Sequence, residues 1–171
     1  KVYSQRMKTK LFNILLADDD IDDCSFFKEA LEKLSLNTIF NVVNDGEKLM
    51  FYLQKLTSEL PDVLFLDLNM HRKNGFECLN EIKKNPLLKN LPVIVFSTSF
   101  DQERVDMLYE SGAQYFMRKP AMFPQLMNAI LQALTFIRRD MENAKLSSGT
   151  EVARTIAQPD KLHFVLNSQS S

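Results

Sequence analysis

The chain has 171 residues, a formal net charge of −1, 25% charged residues and 45% hydrophobic residues. That length buries a proper core for one domain, and the near-neutral balance, with no run of Lys or Arg, excludes a basic surface built for nucleic acid. No apolar stretch approaches the roughly 20 residues of a membrane span, and the polar start Lys1-Val2-Tyr3-Ser4-Gln5-Arg6 is unlike a signal peptide, so a cytoplasmic protein is the expectation. Cys24 and Cys78 fall in different helical patterns without C-x-x-C spacing and read as reduced structural thiols.

Taken in chain order, Phe12-Asn13-Ile14-Leu15-Leu16-Ala17 is a short apolar strand that runs into Asp18, Asp19 and Asp20. A helical period follows, with Phe26, Ala30, Leu31 and Leu34 on one stripe and Asp22 or Asp23 as its cap. Thr38–Val43 is a second strand, and Asn44-Asp45-Gly46 turns it into a helix bearing Leu49, Met50, Leu53 and Leu56, closed by Pro61. Val63-Leu64-Phe65-Leu66 is apolar without alternation, as a parallel strand covered on both faces would be, and it ends on Asp67. A polar loop, Asn69 to Gly75, leads to a helix with Phe76, Leu79 and Ile82. The fourth strand, Val93–Phe96, ends on the hydroxyl run Ser97-Thr98-Ser99. Asp101 then caps a helix that stops at Gly112. Tyr115-Phe116-Met117-Arg118 is the fifth strand, ending on Lys119-Pro120, and the last helix carries Leu126, Ile130, Leu131, Leu134 and Ile137.

Strands alternating with helices through short connections predict an α/β domain: a doubly wound, five-stranded parallel sheet in the flavodoxin-like order 2-1-3-4-5. The expected organisation is an N-terminal extension over 1–10, a domain over 11–141 and a tail over 142–171, with 142–161 as linker composition. The apolar piece Lys161–Leu166 is expected to dock back through Leu162, Phe164 and Val165.

In that strand order the carboxyl ends of the strands share one rim, bringing Asp18 and Asp19, Asp67, Ser97 and Lys119 together. Clustered carboxylates bind a hard divalent ion such as magnesium. A lysine and a hydroxyl opposite complete a clamp for a phosphoryl group, and Asp67 is left as an acid able to accept phosphorus. A strand bulge would hand the hydroxyl role from Ser97 to Thr98.

Leu15-Leu16-Ala17-Asp18-Asp19-Asp20, Leu66-Asp67-Leu68-Asn69-Met70, Ser97 after Val93–Phe96, and Lys119-Pro120 together resemble the receiver domain of two-component response regulators, the CheY-like family, across residues 11–140. The closest likeness is to small stand-alone, phytochrome-type receivers. The resemblance implies that Asp67 is the phosphoacceptor, that Asp19, Asp67 and the Asn69 backbone carbonyl bind Mg2+, and that Asp18 assists through water. It implies that Ser97 and Lys119 contact the phosphoryl group, that Lys119-Pro120 is a cis peptide, and that Phe116 is the switch aromatic. Expected partners are a sensor histidine kinase or phosphotransfer protein upstream, an unnamed protein target downstream and a second copy of the chain, with no direct nucleic acid and no membrane. His71 stands where the family usually has proline, and reads as a solvent-facing loop residue before a metal ligand.

A magnesium-dependent phosphohydrolase shares the aspartyl-phosphate chemistry, but it needs an acid–base two residues after its nucleophile. Here Asn69 occupies that place and does no proton transfer at neutral pH. Slow self-dephosphorylation, rather than turnover, is the expectation. A flavin carrier on the same fold would need Gly, Ser or Thr after the first strand, where this chain has acids.

Overall fold

Five apolar runs form the strands β1 (Phe12–Ala17), β2 (Thr38–Val43), β3 (Val63–Leu66), β4 (Val93–Ser97) and β5 (Tyr115–Arg118), all paired in parallel in the order β2-β1-β3-β4-β5. The structure, a computed structural model, describes residues 11–56, 59–98 and 101–147. Its helices are α1 (Ile21–Lys33), α2 (Gly46–Lys55), α3 (Gly75–Lys84), α4 (Gln102–Glu110) and α5 (Phe123–Ser147). The expected architecture and strand order are both present.

Every residue of β3 is buried, as the central strand of a sheet covered on both sides must be. Alternation then divides the core. Phe12, Ile14, Leu16, Val63, Phe65, Ile94, Phe96 and Met117 point to the α1/α5 side. Leu15, Ala17, Leu64, Leu66, Val93, Val95 and Phe116 point to the side of α2, α3 and α4.

Local chemistry explains the helix ends. The carboxylate of Asp20 accepts from the N–H groups of Asp22 and Asp23 at 2.9 and 3.1 Å. The cap is therefore Asp20, not Asp22 or Asp23, which lie in the first turn, where acids favour the helix dipole. Phe27 rather than Phe26 faces the core: 27, 30, 31 and 34 keep the 3.6-residue phase, while Phe26 is half exposed and leans on Phe123. Asn74 and Glu77 form a reciprocal capping box on α3. At the end of α4, Gly112 takes φ +97° while its N–H reaches the Tyr109 carbonyl and that of Ala113 the Leu108 carbonyl, a Schellman ending.

Two boundaries differ from expectation. The second helix ends at Lys55, with Leu56 already extended, well before Pro61. The last helix continues to Ser147, because Glu142, Ala144, Lys145 and Leu146 are good helix formers and nothing there breaks the run. The expected extension over 1–10 and the docking of Leu162, Phe164 and Val165 lie outside the described residues.

Candidate functional site

Ala17 of β1 sits opposite Leu66 of β3, so Asp18 and Asp67, the next residue on each strand, emerge side by side. The Asp67 N–H donates to the Ala17 carbonyl and the Lys119 N–H to the Ser97 carbonyl, each at 2.9 Å. Backbone pairing thus fixes four strand ends in one rim. Asp18 and Ser97 are 0% exposed and Asp67 is 4% exposed. Ser97 pairs in register with Arg118 and is buried, whereas Thr98 is exposed, so the strand stays regular up to Ser97.

Asp18, Asp19 and Asp67 each bring a carboxylate oxygen within 4.8 Å of the others. Asp18 Oδ2 is buried, with the Lys119 ammonium 2.7 Å away. Three converging carboxylate oxygens, two from buried side chains, fit a hard divalent cation. Asn69 lies in the exposed loop two residues beyond Asp67.

The electrostatics are those of acids crowded out of water. Burial pushes the Asp67 carboxyl up to about 6; Lys119 pulls it down and Asp18 pushes it up again. Burial also raises Asp18, against the pull of Lys119. For Lys119 burial alone would lower the pKa, but Asp18, Asp23 and Asp67 outweigh it and hold the ammonium well above its usual value. Lys119 is therefore a fixed positive charge. Its Nζ lies 2.7 Å from Asp18 Oδ2, 2.8 Å from Asp23 Oδ2 and 3.5 Å from Asp67 Oδ1.

The loop after β3 is held by backbone proximity. A Cβ on Gly75 would fall 2.1 Å from the Asp67 carbonyl oxygen, and one on Gly46 would fall 2.0 Å from the Lys73 carbonyl oxygen. Only glycine allows either approach. Lys73 pairs with Glu81 of α3. His71 is not idle in solvent: its backbone N–H donates to Asp19 Oδ2 at 3.0 Å and its Nδ1 contacts the same oxygen, although the ring is largely exposed. It stands outside the acid cluster.

Phe116 is 1% exposed in the α3/α4 side of the core, and its N–H donates to the Tyr109 hydroxyl of α4 at 3.1 Å. The expected cis bond is absent, since Lys119-Pro120 is trans. Trans is the lower-energy form of an X–Pro bond by about 0.5–1 kcal/mol, and Lys119 reaches the acids from it. Sequence reading missed the Asp23 contact with Lys119, because 96 residues separate them and Asp23 had a ready explanation as a cap. Its one signal was a further acid one helical turn beyond the Asp18–Asp20 run.

Among the described residues no helix is long and apolar enough to cross a membrane. Comparison with known proteins agrees with the fold. The family model for the response regulator receiver domain matches residues 14–131. Response regulator Rcp1 of Synechocystis is 34% identical over 110 residues, which are 62% of this chain and 75% of that protein. The crystal structure of Mn2+-bound Rcp1 matches with a TM-score of 0.64 at 31% identity, covering 72% of this chain and 91% of that one. That of the phosphorylated cyanobacterial phytochrome response regulator RcpA matches with a TM-score of 0.66 at 31% identity, covering 82% and 98%. Receiver domains are phosphoacceptor signalling modules of two-component systems, phosphorylated by histidine kinases or phosphotransfer proteins and binding a divalent metal, not classical enzymes. The chain belongs to the response regulator receiver domain family.

Proposed function

We propose that Asp67 is the phosphoacceptor of this receiver, with Asp19, Asp67 and the Asn69 carbonyl as ligands of Mg2+ and Asp18 acting through water. The observation that carries this reading is the placement of Asp67: buried, one of three acids that fit a cation, and 3.5 Å from the Lys119 ammonium. With its pKa near 6, Asp67 is mostly ionised at neutral pH and able to attack. Its carboxylate oxygen bonds to phosphorus as the P–N bond of a donor phosphohistidine breaks, the electron pair leaving with the donor imidazole. When bound, the cation neutralises charge on the phosphoryl oxygens. Lys119 and the Ser97 hydroxyl then donate to those oxygens.

In this reading the phosphoryl oxygens draw the Ser97 hydroxyl toward them and the already buried Phe116 repacks into the space it leaves, so that the α4–β5–α5 face shifts population toward a second form. That face contacts the downstream target, and a second copy of the chain is one such partner. The donor is a sensor histidine kinase or phosphotransfer protein in the cytoplasm. Residues 11–141 act as the receiver, flanked by 1–10 and 142–171. Because Asn69 stands two residues after Asp67 and its amide transfers no proton, hydrolysis of the acyl phosphate is slow.

Intact mass of the wild type and Asp67→Asn after incubation with acetyl phosphate, with and without Mg2+, tests the reading. One phosphoryl adduct that needs both Asp67 and the metal is expected. An adduct that survives Asp67→Asn would overturn the assignment.

A further inference from the structure

Lys119 has three carboxylate partners, and they are not equivalent. Asp18 and Asp67 belong to the acid cluster, whereas Asp23 stands outside it. The contact with Asp23, at 2.8 Å, is as short as the 2.7 Å contact with Asp18, while Asp67 lies farther off at 3.5 Å. A dication drawn to Asp18, Asp19 and Asp67 competes with the ammonium for the same oxygens and repels it. Lys119 cannot answer by moving into water, because its side chain is only 8% exposed and the Phe96 ring lies 5.2 Å from Nζ. It needs a counter-ion that the metal does not use.

We propose that Asp23 is that counter-ion, a positioning residue that keeps Lys119 beside Asp67 when a cation enters the acid cluster. The inference rests on the metal and phosphoryl reading above and adds to it a residue not in the expected site. Asp23 is suited to the task by its own anchoring. It lies in the first turn of α1, its N–H held by the Asp20 carboxylate at 3.1 Å, so the helix start sets its place whether or not metal is present. Neither neighbouring acid substitutes for it: Asp20 is engaged in capping and Asp22 is exposed. Without Asp23, Lys119 leans wholly on Asp18 and Asp67 and opposes the cation.

The test is a double-mutant cycle read as Mn2+ affinity, from the free-ion signal in electron paramagnetic resonance. D23N is expected to weaken Mn2+ binding about tenfold, the lower end of what loss of a supporting residue does to a metal site. In a K119M background the same change shifts affinity by less than about threefold, and the exposed control D22N does likewise in the wild type. Equal losses from D23N in both backgrounds make Asp23 a plain surface charge and overturn the proposal, as does no loss in the wild type. The 15N resonance of the Lys119 ammonium, followed as Mg2+ is added, gives the answer without altering Lys119. It stays hydrogen-bonded and sharp in the wild type and exchanges rapidly with water in D23N; identical behaviour overturns the proposal. A wild type that binds no Mn2+ sinks the metal reading together with this inference, whereas binding without coupling sinks this inference alone.

Discussion

On one face of the sheet, α1 and α5 close over a core joined by rings: Phe27 lies 4.8 Å from Phe65, 5.7 Å from Phe96 and 5.6 Å from Phe40. On the other, α4 buries only Val105 and Leu108 among its large apolar side chains. A cavity of about 340 Å³, lined by Asn69, Phe76, Arg104 and Met107 among others, lies between it and the loop after β3. The first face holds the acids and Lys119 at fixed spacing. On the second, α4 itself has few buried contacts to break and room to move, which is where a low-energy conformational response belongs. The tightly packed α1 and the loosely held α4 thus lie on opposite sides of one sheet.

The largest expected effect tests that asymmetry directly. Phe27→Ala should cost about 3–5 kcal/mol and Leu108→Ala, on α4, only about 2 kcal/mol, both read from urea denaturation. Equal costs would break the comparison. Two glycines sharpen it next. Gly75→Ala forces the Asp67 backbone aside and should lower Mn2+ affinity about tenfold or more, as displaced ligands do. Gly112→Ala, at the end of α4 against the flexible Lys83 side chain, should cost about 1 kcal/mol of stability through its positive φ and leave metal affinity intact.

A pH titration comes third. With Asp67 raised to about 6 by burial, a cation must displace a proton below that pH, so Mn2+ affinity should fall about tenfold per unit as pH drops below 6. For the metal-free fold the sign is opposite. A raised carboxyl pKa stabilises below the unfolded value of 3.8, and that contribution is lost as pH rises through about 6. Urea midpoints of the metal-free protein between pH 4 and 7, compared with Asp67→Asn, check it. The smallest effect is Tyr109→Phe, which removes the acceptor for the Phe116 N–H and should cost about 1 kcal/mol while leaving Mn2+ affinity unchanged.

Much of this was legible in the residue order. Asp67 announced itself because an unbroken apolar run stopped on it, and Ser97 and Lys119 because each ended a strand on the same rim. Other features were hidden for physical reasons. Phe26 and Phe27 are adjacent rings, and only a shift of one residue in helix phase decides which is buried. Asp20, Asp22 and Asp23 are chemically equivalent caps until the backbone chooses. Periodicity relates neighbours in sequence, so it is silent on Asp23 meeting Lys119 across the fold, and on the loop geometry that brings His71 onto Asp19.

Lys119 lies on the last strand and Asp18 on the first, so during synthesis the acids exist before their counter-ion does. A nascent chain that ends short of Lys119 would have to bury Asp18 and Asp67 uncompensated, which a protein interior resists strongly. The parallel crossovers add only distant contacts to reward early closure. The rim is therefore completed late, as the final strand docks and brings Lys119 to the acids.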